Sequence, residues 1–257
     1  MQTKKVISHI ASWISDYITK SNATGFVIGI SGGVDSAVTS TLIAKTQIPL
    51  LCIEMPIHQE KNQLKRGSDH IKWLKSNFKN VNSIHMDLSL VFNNLISKIS
   101  ENTKSNELTL ANTRARLRMM TLYYYAGINN YLVAGTGNKV EDFGVGFFTK
   151  YGDGGVDISP IADLTKTEVY HIAKEMCINK EIICAAPTDG LWENEKTDEE
   201  QIGASYEELE WAMNFKGSKS NIDNRKKEVL QIFTHLNNIN QHKMTPIPVC
   251  IIPENIK

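Results

Sequence analysis

The sequence predicts an α/β protein: a doubly wound parallel sheet flanked by helices, followed by a helical C-terminal part. Three observations support this fold class. Four short strand-like segments, two of them continuous apolar runs, alternate with amphipathic segments; a glycine-rich turn follows the first, and the alternation is lost after about residue 145. Strands that alternate with helices form parallel sheets covered on both faces. Ligands of such sheets bind at the carboxyl ends of the strands.

The predicted elements follow one another in a regular order. Apolar runs predict strands over residues 25–30 and 50–55, and two further strands are predicted over 81–86 and 131–134. Helical spacing of apolar residues predicts helices over residues 6–18, 37–45, 58–77, 88–100, 107–127, 165–176 and 221–238, with a charged segment over 193–208. Because no linker interrupts this order, we expect one domain over residues 1–257.

Composition excludes several classes of protein. The 257 residues carry no net charge, so no global field attracts nucleic acid and we expect no such partner. No apolar run has the length of a signal peptide or a membrane span, so we expect no membrane association and a cytoplasmic protein. The four cysteines lack metal-ligand spacing, and two lie in strand-like runs, so buried free thiols are expected. They are Cys52, Cys177, Cys184 and Cys250.

The glycine-rich turn after the first strand is the strongest motif. It consists of Gly29, Ile30, Ser31, Gly32, Gly33, Val34, Asp35 and Ser36. Backbone N–H groups and a helix N-terminus converge there and predict an anion site, with a Ser or Asp of the motif capping the helix. The glycine spacing matches neither a Walker A loop nor a dinucleotide fingerprint. The structural alternative is an ordinary strand–turn–helix unit.

Arginines on the helix over 107–127 form a second pattern. Arg114 and Arg118 share one face, and Arg116 points nearly the opposite way. An arginine aimed into a cleft binds phosphate or carboxylate through two hydrogen bonds. Spacing alone favours solvated arginines, and the basic cluster over 61–66 is interpreted in the same way.

Two further segments carry candidate site residues. Thr136 and Glu141 follow the fourth strand, where Thr136 can contact a nucleotide and Glu141 can join Asp35 as a Mg²⁺ ligand. A plain helix start with acids in its first turns explains Glu141 equally well. The glycine-rich segment 149–160 contains Asp153, and we expect it to be a loop that closes over a ligand.

The complete set of motifs resembles the ammonia-dependent NAD synthetases, which belong to the ATP pyrophosphatases (N-type amidotransferases) with an adenine nucleotide alpha hydrolase-like fold. The motifs occur in the family's order over residues 29–243. They are S-G-G-V-D-S, N-T-R-A-R-L-R-M, G-T-G-N-K-V-E, F-F-T-K-Y-G-D-G-G-V-D-I-S-P-I, L-T-K, P-T-D-G-L-W, D-E-E-Q-I-G and H-K. Two departures are visible. G-T-G-N-K-V-E replaces the common G-T-D-H-A-A-E, and the segment 141–150 is one residue longer than in some members.

The resemblance implies ATP-dependent amidation of deamido-NAD (nicotinic acid adenine dinucleotide) with ammonia through an acyl-adenylate, giving NAD, AMP and pyrophosphate. It also implies that the protein is a homodimer. The implied ATP contacts are residues 29–36, Thr136, Lys166 and Thr188. The implied deamido-NAD contacts are Arg116, Lys150, Asp157, His242 and Lys243. The implied Mg²⁺ ligands are Asp35 and Glu141. The implied catalytic residues are Asp153, which takes a proton from ammonium, and Lys166, which stabilises the oxyanion.

Rival functions are a different pyrophosphate-loop enzyme and a nucleotide-sensing module without chemistry. A tRNA-thiolating enzyme is disfavoured by the missing CxxC pairs and the neutral charge, whereas a GMP-synthetase-like ATPase stays open. The intact set of acids and Lys166 argues against a sensor. No glutaminase domain precedes the first helix, so free ammonia is the expected nitrogen source.

Overall fold

The computed structural model describes residues 1–99, 106–188 and 197–257. Its sheet has four parallel strands in the spatial order β3-β2-β1-β4. The strands are β1 (Gly25–Gly29), β2 (Leu50–Glu54), β3 (Val81–His85) and β4 (Tyr131–Val133). The helices are α1 (Thr3–Ser21), α2 (Val34–Lys45), α3 (Lys61–Asn77), α4 (Ser89–Ser97), α5 (Glu107–Asn129), α6 (Lys166–Glu175), α7 (Lys180–Ile183), α8 (Asp198–Ile202), α9 (Tyr206–Asn214) and α10 (Asn224–Met244). The predicted fold class is confirmed.

The sheet separates two hydrophobic clusters because successive strand residues point to opposite faces. Phe26 and Ile28 of β1 pack in a cluster with residues of α1, α2 and α6. Val27, between them, packs in the other cluster with Leu51 and Ile53 of β2 and with residues of α4 and α5. Strands β1 and β2 are therefore buried on both faces, as their continuous apolar runs predict, whereas the edge strand β3 is partly exposed.

The strand order creates the crevice in which the site lies. From β1 the chain steps outward to β2 and β3, and α5 then brings it back to β4 on the other side of β1. This reversal of the strand order makes a switch point between β1 and β4, where a crevice opens at the carboxyl ends of these two strands. The turn after β1 and the turn after β4 border this crevice. A parallel bridge between Ala134 and Ile158 anchors the glycine-rich segment beside it.

The C-terminal part forms a third hydrophobic cluster around a π-helical turn, Val140–Val145. Helices α9 and α10 pack against this turn, and α10 donates side-chain amide hydrogen bonds to it, from Asn237 to the Gly144 carbonyl (2.7 Å) and from Asn240 to the Val145 carbonyl (2.8 Å). Helix α10 ends six residues later than predicted. The predicted charged segment 193–208 becomes α8 and the start of α9, and its first four residues lie outside the described part.

The cysteine prediction is only partly correct. Cys52 is buried in β2, whereas Cys177, Cys184 and Cys250 are exposed. Cys250 lies in the apolar run near the C-terminus, where residues 245–257 form an exposed tail. Among the described residues, no helix combines the length and the apolarity needed to cross a bilayer.

Candidate functional site

The turn after β1 is folded tightly against the N-terminus of α2. The Ser31 N–H donates to Ser36 Oγ (3.3 Å), and that hydroxyl donates to the Gly33 carbonyl (3.1 Å). Gly32 has φ +82°, and a Cβ there would lie 2.3 Å from the Gln63 carbonyl oxygen, so only glycine fits. The predicted Ser or Asp cap is wrong: Gly33 is the N-cap and makes no side-chain hydrogen bond. Because no side chain caps α2, its first N–H groups are available to a ligand.

A buried lysine joins two of the predicted acids. Lys166 Nζ lies 2.6 Å from Asp35 Oδ2 and 2.9 Å from Glu141 Oε1, and its side chain is 4% exposed. Asn138 connects the turn after β1 to the turn after β4. Its amide donates to Asp35 Oδ1 (3.2 Å), and its carbonyl oxygen accepts the Glu141 N–H (3.2 Å). These contacts hold both acids at the switch point of the sheet.

The protonation of this cluster follows from burial and mutual attraction. Burial raises the pKa of Asp35, although the Lys166 ammonium opposes this. Burial also disfavours ionised Glu141, but Lys166 and the Tyr206 hydroxyl outweigh it and lower the pKa of Glu141. For Lys166, burial is overcome by Asp35 and Glu141, and its pKa is raised. The cluster thus holds one fixed positive charge between two acids.

Tyr206 and Asp198 complete the cluster, and the residue patterns assign no role to either. The Tyr206 hydroxyl lies 2.5 Å from Glu141 Oε1 and 3.1 Å from Asp198 Oδ2. Asp198 belongs to the D-E-E-Q-I-G motif, which offers a signal for it, whereas nothing in the sequence distinguishes Tyr206. Both lie on the C-terminal helices, whose position relative to the sheet is a tertiary property.

The arginines differ from the sequence-based expectation. Arg116 is exposed, as expected, but Arg114 is buried with its guanidinium 4.6 Å from the Phe92 ring centre. Arg118 lines the cleft and donates to the Met55 carbonyl (2.9 Å). Arg66 also lines the cleft and donates to the Gly32 carbonyl (3.3 Å). The solvated interpretation is wrong for these buried and cleft-lining arginines.

Asp153 lies in the glycine-rich segment on the wall of the cleft. Its Oδ1 accepts the Thr149 N–H (3.0 Å). Solvent reaches the residue through the cleft although protein surrounds it, and this burial raises the pKa of Asp153 to about 6. A carboxyl group with this pKa is poised to accept a proton near neutral pH.

Four of the five residues implied for deamido-NAD come together beside this segment. Arg116 Nε donates to the Lys150 carbonyl (3.3 Å), and Lys150 Nζ donates to the His242 carbonyl (2.5 Å). Lys243 donates to the Phe148 carbonyl (2.8 Å). Asp157 instead accepts from the Tyr123 hydroxyl (3.0 Å) and the Val133 N–H (2.8 Å). Its carboxylate ties α5 to β4.

The main cleft is lined by nearly the whole implied ATP set. Its lining residues include Gly29, Ile30, Ser31, Gly33, Val34, Asp35, Ser36, Thr136, Lys166 and Thr188. Gly32 stands behind this lining, against α3. The rest of the P-T-D-G-L-W motif after Thr188 lies outside the described residues. The glycine-rich turn, Asp35, Glu141 and Lys166 therefore face one cavity.

This fold and site define a nucleotide-binding α/β protein with an anion-binding turn at the switch point of its sheet. The family model for NAD synthase matches residues 6–247, and the chain belongs to the NAD synthase family. An NH(3)-dependent NAD(+) synthetase of Mycoplasma genitalium is 41% identical, over 80% of this chain and 81% of that protein.

Two solved structures resemble the whole chain. An NMN synthetase from Francisella tularensis has a TM-score of 0.85 and 30% identity, covering 99% of both chains. An NH3-dependent NAD synthetase from Campylobacter jejuni, in complex with the nitrate ion, has a TM-score of 0.78 and 25% identity. The match covers 98% of this chain and 100% of the Campylobacter jejuni chain.

Proposed function

We propose that this chain is an ammonia-dependent NAD synthetase, which uses ATP to amidate deamido-NAD and releases NAD, AMP and pyrophosphate. The observation that carries the proposal is the Asp35–Lys166–Glu141 cluster beside the anion-binding turn, in a chain of the NAD synthase family. Residues 1–257 act as one synthetase domain, and the cytoplasmic location stays a prediction.

The first step activates an unreactive carboxylate. A carboxylate oxygen of the nicotinate attacks the α-phosphorus of ATP, the bond to the β-phosphate oxygen breaks, and pyrophosphate leaves. Phosphoryl chemistry of this kind depends mainly on positioning and charge stabilisation. The turn over residues 29–36 presents backbone N–H groups to the phosphates, and Lys166 offers a positive charge. Thr136 and Thr188 are placed on the same cleft to contact ATP.

Asp35 and Glu141 have the donor chemistry that Mg²⁺ requires. Mg²⁺ is usually held by one or two carboxylates together with substrate phosphates, and both acids border the phosphate-binding turn. Among the described residues, no three His, Cys, Asp or Glu side chains are grouped so that they could hold a metal ion by themselves. A bound Mg²⁺ would supply positive charge to the phosphate oxygens.

The second step requires neutral ammonia. Asp153 takes a proton from ammonium, the nitrogen attacks the activated carbonyl carbon, and AMP leaves. Lys166 stabilises the oxyanion that forms in this attack. The residues assigned to bind deamido-NAD are Arg116, Lys150, Asp157, His242 and Lys243. This role is supported by the clustering of all of them except Asp157 around the glycine-rich segment.

Replacement of Asp153 by asparagine is expected to slow amidation by roughly 100-fold while adenylate formation changes little, because only amidation needs a base. Asparagine preserves the acceptor for the Thr149 N–H. Pyrophosphate release without ammonia measures the first step, and NAD formation measures the second. Equal losses in both steps would contradict the role of a base.

The role of Asp153 as the base predicts that amidation depends on pH. The raised pKa means that Asp153 can accept a proton above about pH 6 and loses this ability as the pH falls through 6. In wild type, kcat/KM for ammonium should decline below that pH, and Asp153→Asn should lack this limb. The charged groups that interact with Asp153 are Glu141 and Asp142 of the π-helical turn and Lys243 of α10.

The test of the proposed function is product formation by the purified protein with ATP, Mg²⁺ and a nicotinate nucleotide. Ammonium or glutamine is supplied as the nitrogen source. NAD formed from deamido-NAD with ammonium alone supports the proposal. Pyrophosphate release with only another acceptor would move the substrate assignment. No nucleotide turnover at all would favour the sensor.

A second carboxylate substrate is supported by the similarity to the Francisella tularensis NMN synthetase over 99% of both chains. On this alternative, the chain amidates nicotinic acid mononucleotide to NMN with the same chemistry. Competition between equal amounts of the dinucleotide and the mononucleotide distinguishes the two. The ratio of NAD to NMN formed gives the ratio of kcat/KM values directly.

We also propose that the chain forms a homodimer through an apolar stripe on α5. Met120, Tyr124 and Ile128 recur every four residues and are 58%, 65% and 62% exposed. Tyr124→Lys is expected to convert a dimer to a monomer in sedimentation equilibrium, because a charge in a buried apolar interface is costly. Ile247→Lys, in the exposed tail, is the matched control. A wild-type protein that sediments as one chain would refute the proposal.

A further inference from the structure

Asp142 occupies an unusual position over the turn after β4. A Cβ added to Gly137 would lie 2.1 Å from Asp142 Oδ2 and 2.2 Å from Oδ1. Gly137 has no positive φ, so its backbone does not require glycine. The carboxylate of Asp142 therefore fills the place that a side chain at position 137 would take.

The π-helical turn explains how Asp142 reaches this place. A π-helical turn contains one more residue than the corresponding α-helical turn and redirects the side chains within it. The turn Val140–Val145 closes with a hydrogen bond from the Gly146 N–H to the Glu141 carbonyl. The Asp142 carboxylate thereby comes to lie over Gly137.

The Asp142 carboxylate has no partner within the described ranges. It lines the cleft and is largely enclosed, yet it makes no hydrogen bond or ion pair to another described residue. Its charged neighbours are acids: Glu141, Asp153 and Asp35. Enclosing an unpaired carboxylate among acids is costly, so its placement points to a bound cation.

The proposed reaction brings two cations into the cleft. The pair Asp35 and Glu141 accounts for Mg²⁺, and Lys166 contacts both of these acids. Asp142 lines the same cleft as Asp153, the residue assigned to deprotonate ammonium, and the two carboxylates interact electrostatically. An ammonium ion donates four hydrogen bonds, and charge-assisted bonds to carboxylates are the strongest available to it.

We propose that Asp142, held over Gly137 by the π-helical turn, is a binding residue for the ammonium ion, which it holds together with Asp153. The proposal rests on the proposed function, because ammonium is the substrate of that reaction. Asp142 supplies affinity for the ion, and Asp153 takes the proton. The π-helical turn and the glycine at position 137 together place this carboxylate.

The first experiment measures ammonium chloride dependence in Asp142→Asn. The KM for ammonium is expected to rise about tenfold or more, with kcat at saturating ammonium and the KM for ATP within about threefold of wild type. Asp163→Asn, an exposed acid on a neighbouring loop, is the matched control. A residue with only a structural role would not shift the KM for ammonium alone.

The second experiment moves the carboxylate from position 142 to position 137. Gly137→Asp alone should destabilise the protein, because the new side chain collides with Asp142. Asp142→Ala alone should weaken ammonium binding. The double variant Gly137→Asp, Asp142→Ala should recover both the melting temperature and the KM for ammonium.

The outcomes separate this inference from the proposed function. If wild type forms amide from ammonium but Asp142→Asn and Asp142→Ala leave its KM unchanged, the inference is overturned and the proposed function stands. An increase in the KM for ATP or for Mg²⁺ instead would assign Asp142 to the metal and also overturn it. If wild type forms no amide from ammonium, the proposed function fails and the inference fails with it.

Discussion

Replacing Lys166 by methionine is expected to lower the free energy of unfolding by about 3–5 kcal/mol and to reduce NAD formation by roughly 1000-fold. The stability loss follows because Asp35 and Glu141 would stay buried without their shared counter-ion. The activity loss follows because the phosphates and the oxyanion lose a fixed positive charge. Urea denaturation and product formation measure the two effects.

Lys174→Met is the matched control for this variant. Lys174 lies on the same helix but is exposed, so the change should alter stability by less than about 0.5 kcal/mol. Added Mg²⁺ should restore part of the stability of Lys166→Met, because the ion replaces the missing charge between the two carboxylates. A Lys166→Met protein with wild-type stability and activity within about tenfold of wild type would contradict the assigned role.

Asp35→Asn is expected to reduce turnover by roughly 100-fold or more while the protein stays folded. Asparagine preserves the shape and the acceptor for Asn138, and Lys166 keeps Glu141 as its partner. Loss of the carboxylate removes one Mg²⁺ ligand. The Mg²⁺ concentration for half-maximal activity should therefore rise together with the loss of turnover.

The control for this variant is Asp163→Asn, whose carboxylate lies on the surface beside Lys139. It should leave turnover and the Mg²⁺ requirement unchanged, because a surface ion pair contributes little. If Asp35→Asn lost less than about tenfold in activity, or about 1.4 kcal/mol of transition-state stabilisation, the metal role of Asp35 would be wrong.

The sheet could be predicted because its signals are local. Strands β1 and β2 are short apolar runs, and the helices between strands show apolar periodicity. All four strands and the first five helices lie within a few residues of their predicted bounds. Such patterns survive in any fold that buries both faces of a sheet. The prediction is less accurate for α9 and α10, because these helices pack on a π-helical turn that has no periodic signature.

The arginines show why local pattern fails for the site. Spacing places Arg114 and Arg118 on one helix face, but cannot say whether that face meets solvent or protein. The Phe92 ring and the Met55 carbonyl decide the matter, and both come from other elements. Arg66 is a similar case, because its partner Gly32 belongs to the turn after β1.

Local patterns are sufficient to predict the α/β class, the anion-binding turn and the family resemblance, because these depend on residues close together in the chain. Three contacts become visible only in the folded protein: Lys166 joins Asp35 to Glu141, Tyr206 and Asp198 complete the cluster, and Asp142 lies over Gly137. Such contacts link distant segments, or depend on a local change of helical geometry. No periodicity or motif in the sequence predicts them.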